Sequence, residues 1–192
     1  MTGAAAPVVG VLALQGGFAA HAKVLRSLGA EVREVRTPAD LEGLDGLVMP
    51  GGESTTMTLG IEREGLVEPL RAFHAAGRPI FGTCAGLIML DRAHLGLMDM
   101  VAERNAFGRQ LHSFESDLDF PGVEGGPVRA VFIRAPWIAE HGPDVEILAA
   151  VDGHPVAARQ GSLLAISFHP ELGDDVRLHE AFLNVVRAAR SA

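Results

Sequence analysis

Near-continuous apolar runs and helically spaced apolar stripes take turns through the first half of the chain. Val8 to Leu14 (VVGVLAL) has the composition of a strand buried on both faces of a parallel sheet. Gln15-Gly16-Gly17 then turns the chain, and Phe18, Ala22, Leu25 and Leu28 recur at helical spacing before Gly29 ends the pattern. Glu31 to Val35 predicts a second strand, Thr37-Pro38-Ala39-Asp40 a loop, and Asp45 to Met49 a third strand. Leu66 to Ala76 reads as a helix stopped by Gly77. Pro79 opens a short strand through Ile80 and Phe81, and Leu87 to Leu90 suits the first turns of a buried helix. Strands alternating with helices in this order predict an open, mostly parallel α/β sheet whose ligands gather at the carboxyl edge.

The second half has a different rhythm. Met98–Glu103, Phe114–Phe120, Val128–Ile133, Val145–Val151, Pro155–Arg159 and Leu163–Phe168 are short strand-like runs. Gly, Pro and Asp turns separate them, as in antiparallel hairpins. Asp174 to Arg190 predicts a closing helix with an apolar stripe through Val176, Phe182, Leu183 and Val186. No internal repeat, low-complexity tract or linker interrupts this order. Residues 1–192 are therefore read as one α/β domain with flanking helices and antiparallel additions in its second half.

Composition narrows the function classes. An apolar fraction of 48% and a charged fraction of 21% are those of an ordinary globular protein. The net charge of −8, without a Lys/Arg cluster, argues against nucleic acid as a partner. The absence of tyrosine and the single tryptophan argue against a stacking surface for bases. One cysteine cannot form an internal disulfide, which suits a reducing cytoplasm. The opening residues have no basic segment and too short an apolar run for a signal peptide or a membrane span. Scattered histidines beside one cysteine lack zinc-ligand spacing, so neither metal nor cofactor is expected.

That cysteine sits in the most informative stretch. Gly82, Thr83, Cys84, Ala85 and Gly86 are all small and join a short strand to a helix, the layout of a nucleophile elbow. A free thiol with a pKa near 8.5 is only about 3% thiolate at pH 7, and a helix N-terminus or a nearby cation raises that fraction. The backbone N–H of Ala85 would face a developing oxyanion. Taken alone, a cysteine among Ala, Gly and Leu is equally a small buried hydrophobe. Pro50-Gly51-Gly52-Glu53-Ser54-Thr55-Thr56 follows the third strand and reads as a turn delivering backbone N–H groups at a helix start. No Lys follows the glycines, which excludes a Walker-type phosphate loop. His169-Pro170-Glu171 follows an apolar run, so His169 would share the sheet edge of Cys84. Residues two apart on a strand face one way, which sets Glu171 beside the imidazole. By itself the tripeptide is also an ordinary surface turn. His21 and His112 are the other histidines kept in view.

Together these pieces resemble the class I, triad-type glutamine amidotransferases, a flavodoxin-like family. More narrowly, the chain is similar to the glutaminase subunits of pyridoxal 5′-phosphate synthase. The motifs are VLALQG, DGLVMPGGESTT, FGTCAGLIML, ERNAFGRQ, SFE, VFIRAP and SFHPEL. PGGESTT, ERNAFGRQ and FIRAP in that order are the pieces most specific to the vitamin B6 branch. The resemblance implies Cys84 as nucleophile, His169 as general base and acid, and Glu171 as its orienting partner. It also implies glutamine contacts from Gly52, Glu53, Ser54, Arg104, Ile133 and Arg134, and an oxyanion held by the N–H groups of Gly52 and Ala85. The implied reaction converts L-glutamine to L-glutamate and ammonia through a cysteine thioester. A single glutaminase domain occupying 192 residues leaves none for an ammonia acceptor. The implied acceptor is a separate, barrel-shaped synthase subunit that builds pyridoxal 5′-phosphate.

Two positions depart from the family pattern: Ala20 precedes His21 where an acidic residue is usual, and the Leu90–His94 connection is short. Neither falls on the triad; both bear on docking. The rival readings are a stand-alone γ-glutamyl amide hydrolase of the same fold, a non-catalytic stress or chaperone relative, and an inactive regulatory chain. Ala85 weighs against the second, whose members tend to carry histidine after the cysteine, and the intact Cys, His and Glu set weighs against the third.

Overall fold

The apolar runs form strands β1 (Val8–Leu12), β2 (Glu31–Val35), β3 (Gly46–Met49) and β4 (Ile80–Thr83) of a computed structural model that describes residues 5–107 and 113–191. Every residue of β3 and β4 is buried, as their unbroken apolar composition requires of central parallel strands. Helices α1 (Phe18–Ser27), α2 (Ser54–Arg63), α3 (Val67–Ala75) and α4 (Ala85–Leu90) follow three of these strands. The second half contributes β5 (Met100–Glu103), β6 (Ser113–Leu118), β7 (Val128–Ile133), β8 (Trp137–His141), β9 (Glu146–Val151), β10 (His154–Gln160) and β11 (Leu163–Ile166). Helix α5 (Arg177–Arg190) closes the chain. No described helix is long and apolar enough to cross a membrane.

Seven strands make the main sheet in the order β2-β1-β3-β4-β11-β10-β9. The first five are parallel, which is the flavodoxin-like order, while β10 and β9 extend the edge antiparallel. Alternation along the strands sends Leu12, Leu47, Met49 and Ile80 into one core with Met57, Ile61 and Leu70. Val9, Val11, Val48 and Phe81 face the other core with Leu25, Phe182, Leu183 and Val186. Small sheets β5-β8 and β6-β7 lie outside the main one.

Three features differ from the expectation. The sequence signals only the start of helix α2, because STTMTLGIER is rich in Thr and interrupted by Gly60, all poor helix formers. The helix forms because Met57 and Ile61 are buried and because Glu53, rather than a Ser or Thr, caps it: the Glu53 carboxylate accepts from Thr55 N–H (3.0 Å) and Thr56 N–H (2.7 Å). Strand β8 has no counterpart among the expected runs, and β5 pairs with it rather than with its chain neighbour β6. Strand β11 is not a peripheral hairpin strand. It lies parallel to β4, with Leu163 opposite Ile80 and Ile166 opposite Thr83. Residues 108–110 of ERNAFGRQ, and His112, lie outside the described residues.

Candidate active site

The strand order reverses around β1, so the turns after β1 and β3 diverge and leave a crevice at the carboxyl edge. Cys84 follows β4 at that edge with φ 50° and ψ −107°, a conformation costly for an L-residue and typical of an elbow. Its N–H is tied to the Ile166 carbonyl of β11 at 2.8 Å. The elbow closes only because its neighbours are glycines. A Cβ on Gly86 would overlap the Met49 carbonyl oxygen, and one on Gly82 would overlap the carbonyl of Gly86. Ala85 then opens α4, every residue of which is buried.

His169 leaves the same edge after β11, its N–H bonded to the Val131 carbonyl at 2.9 Å. Its Nδ1 lies 2.8 Å from Glu171 Oε1, as the spacing predicts. The mechanism of that proximity is different, however. His169 caps a short 3₁₀ turn over Pro170–Leu172, so the pair sits across a turn rather than on one strand face. Gly51 is packed against both partners: a Cβ there would overlap the His169 ring and stand 3.3 Å from Cys84 Cβ. Burial alone pulls His169 toward neutrality, but hydrogen bonding to Cys84 and Glu171 and their charges outweigh it and raise its pKa to about 10. Glu171 is penalised by burial, yet the hydrogen bond from His169 and, in the acid range where the rings are protonated, the charges of His21 and His169 hold its carboxyl below the usual range. The carboxylate also rests near the start of α1, since a Cβ on Gly17 would lie 3.1 Å from Oε1.

The cleft in front of Cys84 has a volume of about 640 Å³, within the range of small-molecule sites. Its lining brings together all ten residues singled out above: Cys84, His169, Glu171, Gly52, Glu53, Ser54, Ala85, Arg104, Ile133 and Arg134. Arg104 reaches Glu53 Oε1 (3.1 Å) and Thr55 Oγ1 (3.3 Å), so it is partly engaged within the protein. Its Glu53 partner, a carboxylate held at a pKa of about 2 chiefly by the Thr55 and Thr56 backbone N–H groups, stays charged. Arg134 follows Ile133 with φ 45°, a strained bend at the rim, and the Ile133 carbonyl lies 4.0 Å from Cys84 Sγ.

The peptide between Gly51 and Gly52 is held from the α1 side. Gly17 N–H donates to the Gly51 carbonyl (3.1 Å), which leaves the Gly52 N–H on the opposite side of that planar peptide. The Gln15 carboxamide clasps the next residue, donating to the Glu53 carbonyl (3.0 Å) and accepting from the Glu53 N–H (3.2 Å). Gly17, Gly51, Ile88, Asn105, Pro136 and Leu172 complete the lining; the two glycines stand in turns legible in the sequence, and the other four lie within the quoted motifs without a role of their own there. Asn105, with φ 48°, follows Arg104 within ERNAFGRQ, where nothing sets it apart from its neighbours. Gln15 carries a signal, since it stands in the turn that faces the glycine pair. The departures from the family pattern are accommodated simply. Ala20 is half-buried on α1. The short connection after Leu90 is closed by buried Asp91, which accepts from Ala93 N–H (2.9 Å) and His94 N–H (3.1 Å).

Residues 11–188 match the SNO glutamine amidotransferase family. The chain is 56% identical over 191 residues to a protein of Geobacillus kaustophilus named pyridoxal 5′-phosphate synthase subunit PdxT, covering 96% of this chain and 97% of that one. A protein of Frankia alni with the same name is 54% identical over 194 residues, with coverage of 96% and 98%. A solved structure described as a glutamine amidotransferase superposes with a TM-score of 0.88 at 46% identity, covering 93% of this chain and 98% of that one. A second solved glutamine amidotransferase, from Thermotoga maritima, shares the fold alone, with a TM-score of 0.64 at 13% identity and coverage of 97% and 86%.

Proposed function

Because the chain belongs to the SNO glutamine amidotransferase family, we propose that it hydrolyses L-glutamine to L-glutamate and ammonia, with residues 1–192 acting as one glutaminase domain. The observation that carries this reading is the Cys84–His169–Glu171 array at the carboxyl edge, with His169 Nδ1 2.8 Å from Glu171 and the basicity of the ring raised by Cys84 and Glu171. Cys84 Sγ attacks the side-chain carboxamide carbon of glutamine. The oxyanion that forms is met by the N–H groups of Gly52 and Ala85. When the C–N bond breaks, the proton already on His169 goes to the departing nitrogen and ammonia leaves. The now neutral imidazole takes a proton from water, whose oxygen attacks the γ-glutamyl thioester. Collapse expels the Cys84 thiolate, releases glutamate and restores the imidazolium. Arg104, Glu53, Ser54 and the Ile133-Arg134 segment border the cleft where the amino-acid end of glutamine would lie.

The ammonia is consumed by a separate synthase subunit that makes pyridoxal 5′-phosphate, and we take that subunit to be the barrel implied by the sequence motifs. The names of the relatives support the assembly. The exposed apolar side chains Ile133 (38%) and Leu172 (55%) at the mouth of the cleft supply a surface for it. Ammonia release at saturating glutamine, measured with the synthase titrated in, tests both halves. No release in either condition rejects the glutaminase. Equal release in both rejects the dependence on a partner and favours a stand-alone γ-glutamyl amide hydrolase.

A further inference from the structure

Behind Glu171 lies a buried polar chain that the mechanism above leaves unused. His169 takes only one oxygen of the carboxylate, Oε1. Oε2 is sealed from solvent and has no hydrogen bond of good geometry, although His21 Nε2 stands 3.3 Å away. The same His21 nitrogen is 3.1 Å from Thr83 Oγ1, on the residue before Cys84. On its other side, His21 Nδ1 is 2.9 Å from His179 Nε2. His21 on α1, Thr83 on β4 and His179 on α5 are each 0% exposed, so the protons of this chain are placed chiefly among its own groups.

The two placements differ in what faces Glu171 Oε2 and in which atom of His179 is left unpartnered. With its proton on Nδ1, His21 would donate to His179 Nε2 and force the His179 proton onto Nδ1, an atom without a partner. The bare His21 Nε2 would also face the lone pairs of Glu171 Oε2. Both are penalties of burial. With its proton on Nε2, His21 accepts from His179 Nε2–H, donates to Thr83 Oγ1 and turns the positive edge of that N–H toward Glu171 Oε2, 3.3 Å away. The unpartnered His179 Nδ1 is then only a lone pair, the cheaper atom to leave unsatisfied.

We infer that His21 is a positioning residue of the glutaminase site, its Nε2–H anchoring the second oxygen of Glu171 while His179 fixes its tautomer. The inference rests on the glutaminase reading above. Anchoring Oε2 sets the plane of the carboxylate, and that plane aims Oε1 at His169 Nδ1. The anchor works because it is neutral: a cation at His21 would compete with the His169 imidazolium for the charge of Glu171. The titratable groups facing His21 are Glu171, His169 and His179. Burial outweighs the Glu171 charge and lowers His21 to about 4, and burial with the neighbouring His21 lowers His179 to about 3.

The test compares His21→Leu, His21→Gln and His179→Leu in the full chain with the synthase subunit present. The Gln amide nitrogen occupies the place of histidine Nε2 and retains the donor. His21→Leu is expected to lower kcat about 10- to 100-fold, with KM for glutamine within about twofold, since misplacing a reacting group penalises chemistry rather than binding. His21→Gln should recover most of that loss. The downfield proton resonance of His169 Nδ1–H should broaden away in His21→Leu and return in His21→Gln. Near wild-type kcat in His21→Leu overturns the inference, as does an equal loss in both His21 variants with the resonance intact. If His21→Leu does not fold, His179→Leu against His21→Gln makes the same comparison on the same two readouts. A wild type that releases no ammonia rejects the glutaminase reading instead, and the resonance then decides the anchor alone.

Discussion

Replacing Glu171 with Gln removes one charge and keeps the shape, which separates two roles a triad carboxylate can have. The His169–Glu171 contact is a 2.8 Å charge-assisted hydrogen bond, worth roughly 1.5–3 kcal/mol. At 1.36 kcal/mol per unit, its loss should lower the His169 pKa by about 1–2 units. Starting from about 10, the ring stays protonated at pH 7 in the variant. Turnover should nevertheless fall about 10²-fold, because a carboxamide cannot satisfy both neighbours at once. With its oxygen toward His169 Nδ1–H, its NH₂ meets the His21 Nε2 donor; flipped, its NH₂ meets His169. The predicted defect is therefore one of orientation, and raising or lowering the pH should not restore it. His169→Asn, which removes the proton carrier, should be more damaging. The assay is an NMR titration of His169 alongside steady-state ammonia release from pH 6 to 10. Titration of the ring below pH 7, or recovery of activity at acidic pH, would refute the reasoning, and so would a variant less active than His169→Asn.

The elbow conformation makes a second forecast: Cys84→Ala and Cys84→Gly both abolish ammonia release. Gly relieves the φ 50° backbone, so Cys84→Gly should melt about 2–4 °C above Cys84→Ala, the reverse of the usual order; a lower melting point for Gly would count against strain at the elbow. A glutamine analogue with an electrophile at the carboxamide position should label the protein once, at Cys84, and peptide mass spectrometry of a labelled Cys84→Ser control should show nothing. Gly86→Ala should cost about 1–3 kcal/mol or more in a thermal melt, because its methyl would overlap the Met49 carbonyl oxygen. The buried histidines fix the acid response. Their folded pKa values lie below the unfolded 6.5, so the stability they contribute is complete above that pH and is lost as pH falls toward about 4 for His21 and about 3 for His179. Denaturant melts between pH 7 and 4 should show up to about 1.4 kcal/mol per pH unit from each, and His21→Leu should flatten the slope.

The parts of this site that are legible in the sequence are the ones built from contiguous residues. Gly82–Gly86 announces an elbow because small residues are required wherever backbone approaches backbone, and the Met49 carbonyl against Gly86 is that approach. His169 and Glu171 are two apart, so their proximity is legible even though a 3₁₀ turn rather than a strand delivers it. The fold class follows from the buried runs, but β8 does not, since its five residues WIAEH carry no alternation and its partner β5 lies far back in the chain. Helix α2 is obscured by its composition; its cap comes from the Glu53 side chain and its support from Met57 and Ile61. His179 has a usable signal: the α5 stripe through Phe182, Leu183 and Val186, carried back one turn, passes through it. Its meeting with His21, separated by most of the chain, depends on α1 and α5 packing on the same sheet face and cannot be read from either helix alone.

That packing also explains how one short turn can govern the whole site. The residues after β1 touch three separate parts of it: Gln15 clasps the Glu53 backbone, Gly17 N–H holds the Gly51 carbonyl, and Gly17 abuts Glu171 Oε1. Rotating the Gly51–Gly52 peptide strains no side chain, so the Gly17 hydrogen bond, worth about 0.5–1.5 kcal/mol, is a large share of what sets its orientation. Since 1.36 kcal/mol is tenfold in rate, a partner pressing on this turn can change turnover by about an order of magnitude without touching Cys84. Because an oxyanion exists only in the transition state, such a change belongs in kcat. A partner effect confined to KM would instead place its action at the Arg104 and Arg134 rim.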